Sequence, residues 1–369
     1  MSNNQADARP SVVSVQTPSL SYNVHVGHGL LDRAGELVRE SAGGQMAAVI
    51  ADSNVGPLYA RRVLASLERA GYRTAYLEFS AGERNKRFST LVPLLERLAA
   101  AGLSRNDVVV ALGGGVTGDM AGLAAALYLR GIQVAQIPTS LLAMVDSSVG
   151  GKTAVDLKTG KNLAGAFLQP SVVIADVCCL NTLSPDLLAD SCGEIIKHGV
   201  LADEELFDAL AARPVTSMRP DSDELARIVA RNVAIKRDVV NADEREQGLR
   251  QTLNLGHTLG HAIEAGSDYA LGHGSSVAAG LCCVSRATER MGWTEAGTTG
   301  RIERVCEAHG LPTDTDLAHD TIVSFATHDK KRRGQTVNLV VPQRIGKVAL
   351  RRIGMDELET IVRLGCGTR

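Results

Sequence analysis

The sequence Val108-Val-Val-Ala-Leu-Gly-Gly-Gly-Val-Thr-Gly-Asp119, followed by the apolar segment Met120–Leu129, is the strongest indication of the fold class. A β-rich run leads straight into glycines and then into a helical pattern. Gly113, Gly115 and Gly118 fit G-x-G-x-x-G, a spacing at which backbone N–H groups and a helix N-terminus face a pyrophosphate. A plain glycine-rich turn has the same pattern, so the motif alone leaves both interpretations open.

Similar β-rich runs alternate with helical patterns through the first half of the chain. Strands are predicted at Ala47–Ala51, Thr74–Phe79, Val108–Leu112, Ile132–Ile137 and Val172–Ala175, with helices such as Leu58–Ala70 and Thr90–Ala101 between them. This alternation favours a mostly parallel sheet covered by helices. An earlier pair, Ser11–Val15 and Tyr22–Val26, is predicted to form an antiparallel hairpin.

The second half of the chain has a mainly helical sequence pattern instead of alternating strands and helices. Ser184 and Pro185 form a good helix start, and helical patterns dominate from there to about Ala326. A short hairpin and a last helix near Met355 follow. We therefore predict an α/β Rossmann-like nucleotide-binding domain over residues 1–182 and a mostly α-helical, metal-binding domain over residues 183–369.

Composition excludes several classes of protein. Hydrophobic residues make up 44% and charged residues 22% of the 369 residues, as in globular rather than disordered or fibrous chains. The net charge of -2 provides no overall field for nucleic acid or an anionic membrane. The N-terminus lacks a signal-peptide pattern, and the seven cysteines include two adjacent pairs, which do not suit a disulfide framework. We expect a soluble cytoplasmic protein.

One acidic residue is missing from the standard nucleotide-binding order. About 20 residues after the glycines, where a ribose-binding carboxylate is usual, stands Ile137-Pro-Thr-Ser140. Asp52 follows an earlier predicted strand and would serve if that strand lies beside the glycine loop.

A polar loop is predicted from Asp146 to Asn162. Its Gly-Gly-Lys-Thr153 segment is not a Walker A loop, because Asp146 stands where that motif needs glycine. Lys152 and Lys161 on a glycine-rich backbone suit a phosphate or carboxylate, although a solvated surface loop has the same composition.

Glutamate and histidine residues form a metal-type constellation. Glu194 and Lys197 share a helix face, His257 and His261 are spaced i, i+4, and His273 follows a turn. One carboxylate and two imidazoles are a zinc shell with an open position, and either His257/His261 or His257/His273 could supply the imidazoles.

Together these motifs resemble the 3-dehydroquinate synthase family of sugar-phosphate cyclases. The matching segments run in the family's order: Gly113–Asp119, Pro138–Ala143, Asp146–Lys152, Gly160–Asn162, Gly193–His198, Leu253–Ala262, His273-Gly274 and Asp329-Lys-Lys331. The resemblance implies a phosphate-eliminating lyase, usually a homodimer, that uses NAD and zinc, with cobalt as an alternative ion. It converts 3-deoxy-D-arabino-heptulosonate 7-phosphate (DAHP) to 3-dehydroquinate and phosphate.

The resemblance also implies site residues. Glu194, His257 and His273 match the zinc ligands, which favours His273 over His261 as the second imidazole. The implied NAD contacts are Asp52, Ala81, Gly82, Glu83, Arg84, Asn85, Lys86, Gly115, Val116, Thr117, Gly118, Asp119, Thr139, Ser140, Lys152, Lys161, Cys179, Leu180, Asn181 and Thr182. The implied substrate contacts are Asp146, Lys152, Asn162, Lys197, Lys236, Arg250, Asn254, His261 and Lys330, with Arg130 reaching the substrate phosphate across the dimer interface.

Other functions share parts of this pattern. An aminodehydroquinate synthase would keep these residues. Another sugar-phosphate cyclase, such as a cyclitol-forming synthase, is disfavoured by Arg250, Asn254 and His261, because the substrates of those enzymes lack the carboxylate. A polyol dehydrogenase shares the NAD-plus-metal plan but would release NADH and would not need so many cations. A catalytically silent relative is disfavoured by the intact metal and lysine positions.

Overall fold

The computed structural model describes residues 10–328 and 336–367, which form two compact units. The first contains the chain up to Thr182 together with Arg219–Arg245, and the second contains Leu183–Met218 together with the chain from Glu246 onward. The strands are β1 (Ser11–Gln16), β2 (Ser21–Gly27), β3 (Met46–Asp52), β4 (Arg73–Phe79), β5 (Val108–Gly113), β6 (Gln133–Pro138), β7 (Lys152–Leu157), β8 (Gly160–Phe167), β9 (Val172–Asp176), β10 (Thr336–Arg344) and β11 (Lys347–Gly354).

Helices cover the sheet of the first unit and make up most of the second. The α-helices are α1 (Ala34–Ala42), α2 (Gly56–Arg69), α3 (Phe88–Ala101), α4 (Gly115–Leu127), α5 (Pro185–Ala202), α6 (Glu204–Ala212), α7 (Asp223–Ala242), α8 (His257–Gly266), α9 (His273–Arg290), α10 (Thr298–Ala308), α11 (His319–His328) and α12 (Met355–Gly365). Short 3-10 turns connect several of them.

The sheet of the first unit confirms the predicted α/β class. Its seven strands run in the order β1-β2-β9-β6-β5-β3-β4, with β1 and β2 antiparallel and the other pairs parallel. Every residue of β3 and β5 is buried. Continuous apolar runs of this kind are typical of parallel strands that are covered on both faces.

Helix α7 departs from the predicted domain division. The predicted boundary at residue 182 places residues 219–245 in the second domain, but they pack with the first unit. The apolar face of α7, which includes Leu225, Val229 and Val233, is buried, and the helix contacts β1 and β2. The Asn241 side chain also accepts a hydrogen bond from the Gln16 backbone at 2.8 Å. Helical periodicity in a sequence shows that a face is apolar but not which core it covers.

The segment predicted as a polar loop contains a second small sheet. β7 and β8 pair antiparallel, with Lys152 opposite Phe167, around a turn at residues 158–159. Gly165 is needed here because a Cβ at this position would lie 2.0 Å from the Thr153 carbonyl oxygen. Lysine, glycine and asparagine have low strand propensity, so the sequence pattern favoured a loop.

The second unit is mainly helical, as predicted, with the hairpin β10–β11 packed on its helices. Its core joins α8, α9, α11, α12 and the hairpin through residues such as Leu259, Val284, Ile322, Val337 and Ile361. No helix within residues 10–328 or 336–367 has both the length and the hydropathy that a bilayer-spanning segment requires.

The Asp107 carboxylate, which lies directly before β5, binds backbone N–H groups at the start of β3. Its removal should destabilise the fold. Its carboxylate accepts hydrogen bonds from Gln45 N at 2.9 Å, Met46 N at 2.8 Å and Ser104 N at 2.7 Å. We predict that Asp107→Ala lowers the free energy of unfolding in urea by about 1–3 kcal/mol. This is the cost of leaving buried or part-buried backbone N–H groups without their acceptor. Asp238→Ala, an exposed carboxylate beside Arg237, should stay within about 0.5 kcal/mol of wild type.

The same experiment has a pH signature. Burial raises the pKa of Asp107, but the hydrogen bonds from Ser104, Gln45 and Met46 outweigh burial and hold the pKa below its usual value. The stabilisation is therefore complete above the unfolded-state pKa of about 3.9 and is lost as pH falls through the lower folded-state value. A difference between wild type and Asp107→Ala that stays constant into that acid range would contradict the assignment.

Candidate active site

The candidate nucleotide residues of the first unit gather at one edge of its sheet. Asp52 ends β3, Ala81–Lys86 follow β4, Gly115–Asp119 follow β5, Thr139 and Ser140 follow β6, and Cys179–Thr182 follow β9. The chain proceeds from β3 to β4 in one direction and from β5 to β6 in the other, so the strand order reverses between β3 and β5. Open α/β sheets bind ligands beyond the carboxyl ends of their strands at such a point.

The glycine loop between β5 and α4 is close-packed. A Cβ on Gly113 would lie 2.5 Å from Thr117 Oγ1, and one on Gly118 would lie 2.9 Å from Gln136 Oε1. The backbone at these positions has no positive φ. Glycine is therefore required by close approach rather than by an unusual backbone conformation. The N-terminus of α4, where helices commonly bind anions, follows directly after this loop.

Asp52 lies beside this loop, as its predicted role requires. β3 pairs in parallel with β5, and Thr117 Oγ1 donates a hydrogen bond to Asp52 Oδ2 at 2.8 Å. The other oxygen accepts bonds from Asn54 N and Val55 N. The carboxylate is thereby fixed where β3 ends.

Lys86 connects two of the predicted segments. Its Nζ lies 2.5 Å from Asp119 Oδ2 and donates a hydrogen bond to Asn162 Oδ1, also at 2.5 Å. Burial raises the pKa of Asp119, against the lowering effect of Lys86. Lys161 lies 3.4 Å from Glu83, which opens the short helix Glu83–Asn85. Asn162 has a φ of +56°, which asparagine tolerates better than most residues.

A second ion pair in the first unit joins Asp146 and Lys236. Asp146 lies on a π-helical turn, Ala143–Ser147, and Lys236 lies on α7. Lys236 Nζ is 2.8 Å from Asp146 Oδ1 and also donates to the Asp146 backbone carbonyl. Lys152, at the start of β7, is exposed, as is Arg130 after α4.

The glutamate and histidine side chains converge in the second unit. Glu194 on α5 is fully buried, and its Oε1 lies 3.4 Å from His257 Nε2 and 3.5 Å from His273 Nε2. Lys197, one turn along α5, bonds the other oxygen. The His261 ring centroid is 5.1 Å from that of His257, but the His261 residue is exposed.

Glycines allow these helices to approach. A Cβ on Gly193 of α5 would lie 2.0 Å from the Gly274 carbonyl oxygen of α9. A Cβ on Gly280 of α9 would lie 2.3 Å from the carbonyl oxygen of Gly256, the residue that precedes α8. Side chains at these positions would push α5 and α8 away from α9 and separate the imidazoles from Glu194.

The charges in this cluster are coupled. Burial raises the pKa of Glu194, but Lys197 and the two imidazoles outweigh burial and hold the pKa well below its usual range. Burial lowers the pKa of His257. Burial also lowers the pKa of His273, but the carboxylates of Glu194 and Glu264 beside it raise it to about 10. The Glu194 carboxylate is therefore ionised, and its Oε1 faces the imidazoles of His257 and His273, which are neutral or protonated.

This cluster fits a divalent metal ion. Glu194 Oε1 is buried without a hydrogen bond from any described residue. Ligand atoms of His257, His261 and His273 lie within 4.8 Å of one another, so a three-histidine set is also present. A buried carboxylate oxygen facing two Nε2 atoms is the donor set expected for zinc-type ions.

Arg250 and Asn254 lie just before α8 on the 3-10 helix Leu249–Asn254. Arg250 is only 1% exposed. Asn254 Nδ2 donates to Glu246 Oε1 at 3.0 Å, and Glu246 has a φ of +60°. No sequence pattern pointed to Glu246, because its conformation and its contact with Asn254 arise from the tertiary fold.

Glu264 is not among the predicted site residues, although its spacing from His257 is a sequence signal for it. It lies seven positions after His257 on α8, two turns along the same face. Its Oε2 is 3.3 Å from His273 Nδ1. Of the remaining predicted residues, Lys330, with Asp329 and Lys331, lies outside the described residues.

Comparison with known proteins identifies related chains. Residues 76–190 match the family model described as 3-dehydroquinate synthase N-terminal, and residues 191–332 match 3-dehydroquinate synthase C-terminal. The chain is 41% identical over 350 residues to the 3-dehydroquinate synthase of Streptococcus suis strain 05ZYH33, covering 94% of this chain and 98% of the relative.

Two solved structures are also similar. A 2-deoxy-scyllo-inosose synthase complexed with carbaglucose-6-phosphate, NAD+ and Co2+ aligns with a TM-score of 0.85 at 25% identity, over 96% of this chain and 100% of the other. ValA, a 2-epi-5-epi-valiolone synthase from Streptomyces hygroscopicus subsp. jinggangensis 5008 with NAD+ and Zn2+ bound, aligns with a TM-score of 0.85 at 26% identity, over 95% and 98% of the two chains.

The candidate nucleotide residues beyond the carboxyl ends of the strands of the first unit form what we call the nucleotide edge. The Lys86–Asp119 ion pair should be essential to its stability. We predict that Lys86→Met, measured without NAD, lowers the free energy of unfolding by about 3–5 kcal/mol, because it leaves the half-buried Asp119 carboxylate without its cation. The double variant Lys86→Met/Asp119→Leu should recover a large part of that loss, which urea denaturation of the three proteins would reveal. Equal losses in the single and double variants would show that the pair is not the source of the effect.

Proposed function

Because the chain belongs to the 3-dehydroquinate synthase family, we infer that it is a phosphate-eliminating lyase that converts DAHP to 3-dehydroquinate and inorganic phosphate. The observation that carries this conclusion is the 41% identity that extends over 94% of the chain, through both the nucleotide edge and the glutamate–histidine cluster. The reaction oxidises a substrate alcohol transiently, eliminates phosphate, reduces the ketone again and closes the carbocycle by an aldol addition. It belongs to the shikimate pathway of aromatic amino acid biosynthesis.

We propose zinc as the metal, with cobalt as a functional substitute. Glu194, His257 and His273 would hold it, because both Nε2 atoms lie near Glu194 Oε1. Three protein ligands of this kind would leave the fourth position of a tetrahedral ion to a substrate oxygen. When bound, the metal polarises a substrate hydroxyl, and NAD accepts and returns two electrons. Lys197 neutralises the second oxygen of Glu194, so that its first oxygen stays directed at the imidazoles.

The nucleotide edge is proposed to hold NAD. Asp52, fixed by Thr117 and two backbone N–H groups, would accept hydrogen bonds from a ribose. The start of α4 would face the pyrophosphate. Lys86 and Lys161 keep the Ala81–Lys86 segment and the β7–β8 hairpin together at that edge through Asn162 and Glu83. The bound cofactor must be regenerated at each turnover, because the product keeps the alcohol oxidation level of the substrate.

Basic residues are proposed to bind the two anionic ends of the substrate. Arg250 would pair with the carboxylate, with Asn254 and His261 as hydrogen-bonding partners of substrate oxygens. The family resemblance assigns further contacts to Lys152, Asn162 and Lys236, and Asp146 orients Lys236. Fixing both ends keeps one geometry through several chemical steps.

We further propose a cytoplasmic homodimer. Arg130 is exposed and follows Leu129, and both residues have a positive φ, of 68° and 50°. Residues other than glycine rarely adopt this backbone conformation without a functional or packing reason. An arginine held outward in this way suits a contact with a substrate phosphate bound to the partner subunit.

Phosphate release without net NADH would be the signature of this reaction. We predict that purified protein given DAHP, zinc and substoichiometric NAD releases phosphate many times per NAD while NADH stays near zero, and that mass spectrometry identifies 3-dehydroquinate. One NADH accumulating per substrate consumed, with no phosphate, would instead indicate a polyol dehydrogenase. Omitting DAHP provides the blank.

Arg250 should be more sensitive to a conservative change than other arginines of its unit. Its planar fork suits a bidentate carboxylate contact that lysine cannot reproduce. We predict that Arg250→Lys lowers kcat/KM for DAHP by an amount equivalent to about 1.5–3 kcal/mol. Arg304→Lys, at an exposed position on α10, is the matched control and should be kinetically silent. Equal kinetics for the two variants would reject the carboxylate-binding role.

A further inference from the structure

The backbone of His273 is held rigidly at the start of α9. The Asp190 carboxylate of α5 accepts hydrogen bonds from Ser275 N at 2.8 Å and Gly274 N at 3.3 Å. A Cβ on Gly274 would lie 1.8 Å from the Asp190 carbonyl oxygen. Asp190 and Glu194 lie one turn apart on α5, so the helix that presents the carboxylate also fixes the backbone from which His273 projects.

A fixed backbone leaves the imidazole free to rotate about its side-chain bonds, so a second group must set the ring orientation. Glu264 on α8 is buried, and its Oε2 lies 3.3 Å from His273 Nδ1. The opposite nitrogen, Nε2, lies 3.5 Å from Glu194 Oε1. One carboxylate therefore faces each nitrogen of the ring.

The other imidazole of the cluster shows the same arrangement with a different partner. His257 Nδ1 lies 3.1 Å from the Leu255 backbone carbonyl, and its Nε2 lies 3.4 Å from Glu194 Oε1. In both histidines an acceptor occupies Nδ1 and leaves Nε2 directed at Glu194. Histidines that bind a metal are commonly oriented in this way by an acceptor on the nitrogen that does not bind the ion.

We propose that Glu264 is a positioning residue of the metal centre, which accepts the Nδ1–H of His273 and thereby directs the Nε2 lone pair toward the ion. This role rests on the proposed function, in which His273 is a metal ligand. Glu264 itself does not bind the ion: it contacts the far nitrogen of the ring. The same orientation serves a three-histidine ligand set, because His273 belongs to both sets.

The test is the zinc affinity of the full-length protein, measured by competition with a chelator of known affinity. Glu264→Met keeps the side-chain length but removes the acceptor, and we expect it to bind zinc about 10–100-fold more weakly than wild type. Glu264→Gln retains an oxygen acceptor and should rescue most of the affinity. The visible spectrum of bound cobalt should change in Glu264→Met, because the ring that binds the ion is no longer held.

Glu289→Met is the matched control. The Glu289 carboxylate lies on α9 in the same unit and accepts hydrogen bonds from Gly297 N and Thr299 N, each at 2.8 Å. Its loss should lower the melting temperature of the metal-free protein and leave the zinc affinity of the folded protein unchanged. A purely structural role of Glu264 would give that result too, so wild-type zinc affinity in a folded Glu264→Met would overturn the proposal.

A measurement on the wild-type protein decides the question even if Glu264→Met does not fold. Long-range ¹H–¹⁵N spectra of the zinc-loaded protein with labelled histidine should show His273 protonated at Nδ1 and metal-bound at Nε2. Metal bound through Nδ1 would overturn the proposal. Failure of the wild type to bind zinc, or undiminished zinc binding in His273→Ala, would reject the underlying metal assignment instead.

Discussion

The second unit depends on one buried carboxylate, that of Glu194. An ionised carboxylate away from water is costly unless cations and donors surround it. Lys197 bonds one oxygen, and the imidazoles of His257 and His273 face the other. These partners lie on α5, α8 and α9, so compensation of a single charge ties three helices of the unit together.

Both units contain glycines at positions where a neighbouring group leaves no space for a side chain. In the first unit, Gly113 lies against the Thr117 side chain where β5 meets α4, and in the second, Gly193 lies against the Gly274 backbone where α5 meets α9. Neither contact involves a positive φ. The glycines are therefore required by steric space, which lets β5 pass tightly into α4 in one unit and brings imidazoles to a carboxylate in the other.

Local signals predicted much of this structure from the sequence. The alternation of β-rich runs with helical patterns predicted the parallel sheet, in which β3 and β5 are buried. The spacing of His257 and His261 on one helix allowed either a metal pair or two surface imidazoles. What depends on tertiary contacts escaped prediction. The β7–β8 hairpin has a loop-like composition, and α7 covers the first unit although it follows helices of the second.

In the candidate site, too, local sequence signals predicted some residues, while those that depend on tertiary contacts escaped prediction. Residue types and spacing indicated Glu194, His257 and His273, but spacing alone left His261 as an alternative imidazole. The structure brings all three rings together and places Glu194 Oε1 against two of them. Glu246 and Glu264 escaped prediction because most glutamates are solvated. The spacing from His257 places Glu264 on the same face of α8, but only the fold shows that it contacts His273 and that Glu246 contacts Asn254.

If Glu194 supplies the anionic ligand of a metal centre, the ion must lie within bonding distance of its carboxylate. Anomalous diffraction at the zinc edge, from crystals of the zinc-loaded protein, locates the ion. We predict one peak about 2.0–2.2 Å from a Glu194 carboxylate oxygen and from Nε2 of His257 and His273. A peak bound by His257, His261 and His273 with Glu194 beyond bonding distance would contradict it.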